Sequence, residues 1–301
     1  MSRPRSRLHD QSRPALALMA PAGVLIVVFI IAPFLLSLVL SFTNQRLVPN
    51  PNLPTASVGV ANYVRLLGSG EFWQAFRNTF TFALLTVPLQ SALALGAAML
   101  VNSRLPARNV FRGIFFLPTV LTMVVVVVIW SNLYQINGFF NAVVRTMTFG
   151  AHPGFDWLAN PYLAMPSIVL VSMWQGFGFQ MVIYLAGLQS INPELYEAAR
   201  VDGATRWQEF WAVTMPGLRN THIFVLVTTT ILALKLFAQV DLLTKGGPLG
   251  STQTVVRLIY ETGFRKGQVG MAAALSVIFF LVVLAISVGQ RVFLKEDREV
   301  A

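Results

Sequence analysis

Nucleophiles, titratable groups and metal ligands are the usual carriers of chemistry, and this 301-residue chain is poor in all of them. It has no cysteine, which removes thiolate nucleophiles, disulfides and cysteine-held metals. Its three histidines, His9, His152 and His222, fall in a basic tail, a loop and the start of an apolar run, too scattered for a metal set or an acid–base pair. No G-x-x-x-x-G-K-[ST] phosphate cradle occurs, and Gly263-Phe264-Arg265-Lys266-Gly267 has the wrong spacing for one. What does form a pattern is a set of amides, hydroxyls and rings inside apolar stretches. Ser172, Trp174, Gln175, Gln180 and Tyr184, with Gly176 and Gly178, interrupt one stretch; Thr228, Thr229, Thr230, Lys235, Gln239 and Asp241 interrupt another. Amides and rings suit a polyhydroxylated ligand, which takes hydrogen bonds in its plane and apolar stacking on its face. A competing reading has Trp174 and Tyr184 as packing or interface residues and the threonines bonded to their own helix backbone. Lys235 also divides two ways: it meets an anionic group, or it snorkels outward toward Asp241, about 9 Å of helix rise away at roughly 1.5 Å per residue.

The elements that position these residues are membrane helices. The chain is 55% hydrophobic and 11% charged, against about a quarter charged in soluble domains. A bilayer core of roughly 30 Å needs about 20 mainly apolar helical residues. Six runs qualify, from about 16 to 42, 78 to 101, 113 to 134, 162 to 188, 221 to 240 and 270 to 293. The first is too long for the apolar core of a cleaved signal and has no small-residue cleavage site after it, so it reads as a retained signal anchor between a basic tail, 1–14, and the rest. A short tail, 295–301, follows the last run.

Charge sets the orientation. Alternate segments carry Arg3, Arg5, Arg7, Arg13; Arg104, Arg108, Arg112; Arg200, Arg206, Arg219; and Arg291, Lys295, Arg298. The opposite segments hold Arg46, Arg65, Arg77, then Arg145, then Lys245, Arg257, Arg265 and Lys266. The first group is larger, so the positive-inside rule puts both termini in the cytoplasm. The net charge of +10 is thereby a topology signal. It forms no continuous stripe that would follow phosphates, and no nucleic-acid partner is expected.

One inner segment, 192–216, is polar yet helical in pattern. Asn192 is a good N-cap, Pro193 suits the first helical position, and Glu194 sits where the helix dipole favours an anion. The helix should stop near Asp202-Gly203, and Thr205 with Gln208 fits a capping box for a second helix that ends near Pro216. By itself this is compatible with an amphipathic interfacial helix.

Between the caps stand Glu197-Ala198-Ala199, three residues, Gly203, nine residues, Val213, one residue, Met215 and Pro216. This spacing resembles the E-A-A loop of binding-protein-dependent ABC importer permeases, with Val213 and Met215 replacing the usual Ile and Leu. Thr244-Lys245-Gly246-Gly247-Pro248 with Ser251-Thr252 resembles the outer segment of the carbohydrate uptake family's first permease, the maltose-F or glycerol-phosphate-A type. Val60-Ala61-Asn62-Tyr63, Arg77-Asn78-Thr79 and Phe116-Leu117-Pro118 resemble further landmarks, so the likeness covers about 16 to 293. Longer members have extra N-terminal spans and a large outer domain that this sequence lacks.

The resemblance implies an all-α, polytopic membrane protein with six transmembrane helices and the ABC type I importer transmembrane-domain fold. It implies a multi-pass subunit of a bacterial or archaeal plasma (inner) membrane. Expected partners are a second related permease, two ATPase subunits, an extracellular or periplasmic solute-binding protein and membrane lipid. No cofactor is expected on this chain, since ATP and Mg are used by the partner ATPase. Glu197, Ala198, Ala199, Asp202, Gly203 and Pro216 are the expected ATPase-coupling residues. Family members hold solute at mid-membrane in the spans flanking that loop, which points to Ser172, Trp174, Gln175, Gly176, Gln180, Tyr184, Thr229, Lys235 and Gln239. The expected function is uptake of a sugar or polyol, with sn-glycerol 3-phosphate or a glycerophosphodiester as the alternative. An intramembrane enzyme lacks its catalytic groups. A channel suits the composition but leaves the patterned loop without a purpose.

Overall fold

The computed structural model describes residues 12–49, 51–52, 54–103 and 107–293. Arg3, Arg5, Arg7, His9, Arg104, Lys295, Arg298 and the tail 295–301 lie outside the described residues. Among those described, the architecture is helical, and the β-type pairing is a single isolated bridge between Thr43 and Ser57.

The chain divides into two compact units. The first comprises the residues up to Gly68 together with Ile259–Ile278. It opens with α1, which is α-helical over Ser12–Ile26 and Ala32–Leu40, with a π-helical turn at Val27–Ile31 just ahead of Pro33. Extra residues in such a turn absorb the hydrogen bond that a proline cannot donate. From Leu18 to Leu40 no residue of α1 is buried, as suits a span facing lipid, where leaving leucine or phenylalanine exposed carries no hydrophobic penalty. Beyond it, Asn62 in α2 (Ala61–Leu67) donates from Nδ2 to the carbonyls of Ser41 and Thr43, both at 2.8 Å. Tyr63 Oη lies 2.6 Å from Ser41 Oγ. The asparagine of that landmark thus satisfies carbonyls just past the end of α1, and the tyrosine pairs with the Ser41 hydroxyl beside them.

The second unit, Ser69–Leu258 with the residues from Phe279 onward, contains the rest. Its longest helix is α3 (Gly70–Asn102), 33 residues or about 50 Å at roughly 1.5 Å per residue, more than a bilayer core. It is followed by α4 (Arg108–Val120), α5 (Met123–Leu133), α6 (Phe139–Met147) and α7 (Ala164–Ser190). The loop helices α8 (Pro193–Val201) and α9 (Arg206–Gly217) lead to α10 (Arg219–Leu234) and the short α11 (Ala238–Leu243). Then come α12 (Val255–Tyr260), a π-helical turn at Glu261–Arg265, and α13 (Val269–Phe293), whose first part belongs to the other unit.

Close packing in this unit uses small residues. Ala94, Ala97 and Ala98 of α3 are buried in a core with Phe177, Met181, Tyr184, Leu185 and Leu188 of α7 and Val225 of α10. At Gly178 a Cβ would run into the carbonyl oxygen of Phe115, so the α4 backbone crosses α7 where only glycine leaves room.

Among the described residues, four helices are long and apolar enough to cross a membrane, rising to six if each of two bent pairs counts as one span. The segments expected to run unbroken through 113–134 and 221–240 do not. The first bends by 101° between α4 and α5. Pro118 lies near its end, and Leu121 and Thr122 are extended. In the second, Lys235 caps α10, and the chain leaves the helix through Phe237 before α11 begins. Lys235 therefore does not stand below Asp241 on a common helix, and Asp241 is instead ion-paired with Arg257 at 3.3 Å.

Candidate functional site

Interrupted helices inside a membrane free backbone carbonyls, which must find partners in the protein or face a cavity. Both happen here. At the α4–α5 break, Gln175 Nε2 reaches the Leu121 carbonyl at 3.4 Å, while Thr119 Oγ1 donates to the Gln175 carbonyl at 3.1 Å. At the α10–α11 break, Thr254 Oγ1 donates to the Leu236 carbonyl at 2.9 Å. Between the two breaks lies a cavity of about 480 Å³, walled by Thr86 and Gln90 of α3, Thr119 of α4, one face of α7, the end of α10 and the start of α11.

The α7 face follows helical periodicity. Ser172, Gln175, Gly176, Phe179 and Gln180 line the cavity, at intervals of three and four residues. Gln180 Nε2 donates to Thr229 Oγ1 at 2.5 Å, and Thr229 donates onward to the Val225 carbonyl at 2.6 Å. At Gly176 a Cβ would collide with the Gln90 amide, so the missing side chain brings that amide against α7. Ser172 Oγ, Thr86 Oγ1 and Gln180 Oε1 are buried without a hydrogen-bond partner, leaving unused hydrogen-bonding capacity in the wall. Phe179 and Phe237 add ring faces, and Lys235 is the one charged group among the described lining residues.

Of the nine residues singled out for this region, the structure brings seven together: Ser172, Gln175, Gly176, Gln180, Thr229, Lys235 and Gln239. Trp174 and Tyr184 lie elsewhere. Trp174 points to the opposite side of α7, where its ring meets Trp130 at 5.6 Å, edge to face, in a cluster with Tyr134, Phe140 and Trp157. Tyr184, fully buried in the alanine-rich core, meets His222 at 5.0 Å. Helical phase separates Trp174 from the cavity face, whereas Tyr184, four residues after Gln180, lies one turn further along α7 and is taken up by the core; chemical type alone carries neither phase nor depth. Thr228 and Thr230 bond their own backbone, to Phe224 and Leu226. Gln90 and Thr86 also line the cavity beyond the expected residues; a glutamine inside an apolar span is the same signal that marks α7, whereas Phe179 and Phe237 carry none in the sequence.

The loop 192–216 is organised by short-range bonds. Asn192 Oδ1 accepts from the Glu194 amide at 3.0 Å, and α8 runs from Pro193 to Val201. Its C-terminus turns through Gly203 at φ +80°, closed by the Ala204 amide on the Ala199 carbonyl at 2.9 Å. This left-handed position favours glycine, though a Cβ there would meet open space. Thr205 and Gln208 form a reciprocal capping box. Across the turn Arg200 Nε pairs with Glu209 Oε1 at 2.9 Å, and Tyr196 Oη lies 2.9 Å from Thr214 Oγ1.

Glu197, Ala198, Asp202, Gly203 and Pro216 are exposed, and Ala199 is half-buried. The exposed side also carries Leu195, Val201, Trp207 and Trp211, a large apolar content for a polar loop. On the other side, Tyr196, Phe210, Val213 and Met215 pack on the core formed by α3, α7 and α10. The loop is thus seated on the helices that wall the cavity.

Known proteins of this shape and sequence are transport subunits. Residues 90–296 match the family described as binding-protein-dependent transport system inner membrane component. The lactose transport system permease protein LacF of Rhizobium radiobacter is 36% identical over 272 residues, 89% of each chain. The trehalose/maltose transport system permease protein MalF of Thermococcus litoralis is 33% identical over 291 residues, 96% of this chain and 95% of that one. A chain in the crystal structure of a bacterial alginate ABC transporter, in complex with alginate pentasaccharide-bound periplasmic protein, matches with a TM-score of 0.81 at 25% identity, over 96% of this chain and 98% of that one.

Proposed function

We infer, from the premise that the chain belongs to the binding-protein-dependent transport system inner membrane components, that its cavity is the mid-membrane station of a sugar or related polyol. The chain is a multi-pass membrane protein and a permease subunit of an ABC importer, without an ATPase site of its own. It works with a second permease, two ATPase subunits that use ATP and Mg, and a solute-binding protein outside the cell, with both of its termini in the cytoplasm.

The observation that carries the solute class is the cavity wall, where amides and hydroxyls with spare hydrogen-bonding capacity stand beside the faces of Phe179 and Phe237. A pyranose presents that combination of hydroxyl edge and apolar face. The seat of α8 and α9 on α3, α7 and α10 supports the mechanical part. Closure of the ATPase pair moves the exposed side of the loop, Tyr196, Phe210 and Met215 pass the displacement to the helices around the cavity, and access alternates from outside to inside.

The test is uptake of lactose, maltose and trehalose by vesicles holding this chain with the transport subunits encoded beside it. Uptake should require ATP and the binding protein; passive conductance by the chain alone would instead make it a channel. In the same system, Glu197→Lys combined with Gly203→Pro should cut solute-stimulated ATP hydrolysis more than about tenfold, because proline holds φ near −65° where +80° is needed. Unchanged hydrolysis in the assembled double variant would end the coupling assignment.

One observation favours a second reading, in which the solute is anionic. Lys235 lines the cavity and Asp241, its nearest acidic neighbour in sequence, is engaged by Arg257. On that reading Lys235→Met lowers the apparent affinity for sn-glycerol 3-phosphate about tenfold or more, the scale of a charge-assisted hydrogen bond. Unaltered uptake would leave Lys235 with no part in recognition.

A further inference from the structure

The ion pair of Arg257 with Asp241 lies behind the cavity wall and has no part in the functions described so far. We infer that Arg257 is a positioning residue, which through Asp241 holds α11 where Phe237, Ala238 and Gln239 complete the wall. The inference rests on the cavity being the solute site.

Six residues make up α11, fewer than the dozen or so at which helices in water begin to hold themselves. The break at 235–237 also deprives it of support from α10. Its position must therefore come from tertiary contacts: it packs on α5 and α7, and the segment 244–257 adds directional bonds at both ends. At the start, Thr254 Oγ1 takes the Leu236 carbonyl at 2.9 Å. On the helix itself, Arg257 Nε stands 3.3 Å from Asp241 Oδ1.

That segment is in turn fastened to α3, the longest helix of the unit. Asn78 Nδ2 donates to the carbonyls of Gly250 at 2.8 Å and Gln253 at 3.0 Å, and the Val255 amide donates to Thr79 Oγ1 at 3.0 Å. Arg257 is 6% exposed and also bonds the Gln253 side chain. Its guanidinium lies against Gly246, where φ is +80° and a Cβ would come within 2.6 Å of Nη1. The order of support is thus α3, then the glycine-rich segment, then Arg257, then α11. A buried guanidinium is costly without a fixed counter-charge, so the pair specifies one position for Asp241 and hence for Gln239, two residues away.

A merely structural ion pair, when broken, lowers the amount of folded protein and leaves the survivors' cavity as it was. A positioning pair changes the cavity in the protein that does assemble. The absence of cysteine makes this measurable. In the assembled transporter in vesicles, the labelling rate of Gln239→Cys by N-ethylmaleimide reports the place of α11 whatever the solute is. Adding Arg257→Met or Asp241→Asn should shift that rate at least fivefold, and Arg257→Lys should stay nearer the parent. Should the charge variants fail to assemble, Thr254→Val removes only the bond to Leu236 and should move the rate in the same sense by about twofold. A rate within experimental error of the parent in every variant that assembles would overturn the inference. Protection of the same cysteine by maltose, lactose or trehalose, measured with Arg257 and Asp241 intact, tests the solute reading separately: no protection there, together with a rate that the charge variants shift, counts against the solute site and leaves the positioning role standing.

Discussion

The loop 192–216 and the cavity are both small polar regions of a greasy chain, yet they are held in opposite ways. The bonds that shape the loop join near neighbours: Asn192 with Glu194, Thr205 with Gln208, Arg200 with Glu209, and Tyr196 with Thr214, at most 18 positions apart. Those that shape the cavity reach across the chain. Gln180 and Thr229 are 49 positions apart, Thr119 and Gln175 are 56, and Asn78 and Gln253 are 175. On the function proposed above, a loop that transmits force to a separate subunit gains from forming on its own, as a stiff insert. A cavity proposed to change its access gains from walls supplied by several helices, since a shift between those helices would open or close it.

The difference can be broken experimentally, and the largest effect should come from the helix crossing. Gly178→Leu puts a branched side chain where the Phe115 carbonyl lies, and overpacking of that kind costs on the order of 3 kcal/mol. Thermal unfolding of the purified transporter should show a lower midpoint and poor assembly. A stable, active variant would mean that α4 and α7 are not tightly seated. A smaller effect belongs to Gln180→Ala, which removes one hydrogen bond worth about 1 kcal/mol. Apparent KM for the transported solute should rise roughly fivefold while basal ATP hydrolysis keeps its rate, and a fall in that rate with constant KM would tie Gln180 to coupling instead. Smallest of all is Arg200→Ala. Arg200 is 63% exposed and Glu209 14%, so the screened pair contributes about 0.5 kcal/mol. Solute KM should not move, and the coupling ratio of ATP hydrolysed per solute should worsen slightly; a tenfold loss would make this pair the main brace of the loop.

The same contrast explains what could be read in advance. Caps, a left-handed glycine and a helix-terminating proline are local chemistry, and Asn192, Thr205 and Gly203 sit in the structure as their spacing indicates. Apolar runs mark helices for the same reason, because burial in lipid needs only length and composition. The breaks are not legible in the sequence, because Pro118 is of a kind tolerated in membrane helices and nothing near Lys235 is a breaker. They exist because distant groups, Gln175 for one and Thr254 for the other, take up the carbonyls that each break sets free.

For this protein, then, the order of residues alone determined its solvent, its helical content, the form of the loop and the family to which it belongs, since each depends on composition or on neighbours within a few turns. Tertiary structure decided which polar residues share a wall. Trp174 and Gln175 are adjacent in sequence, yet one faces an aromatic cluster and the other the cavity. It also decided that Asp241 serves Arg257 and leaves Lys235 to the cavity. Phase and pairing of that kind are set by how helices seat against one another, and the space around Gly176 and Gly178, where an absent side chain admits Gln90 or a neighbouring backbone, is where that seating is decided.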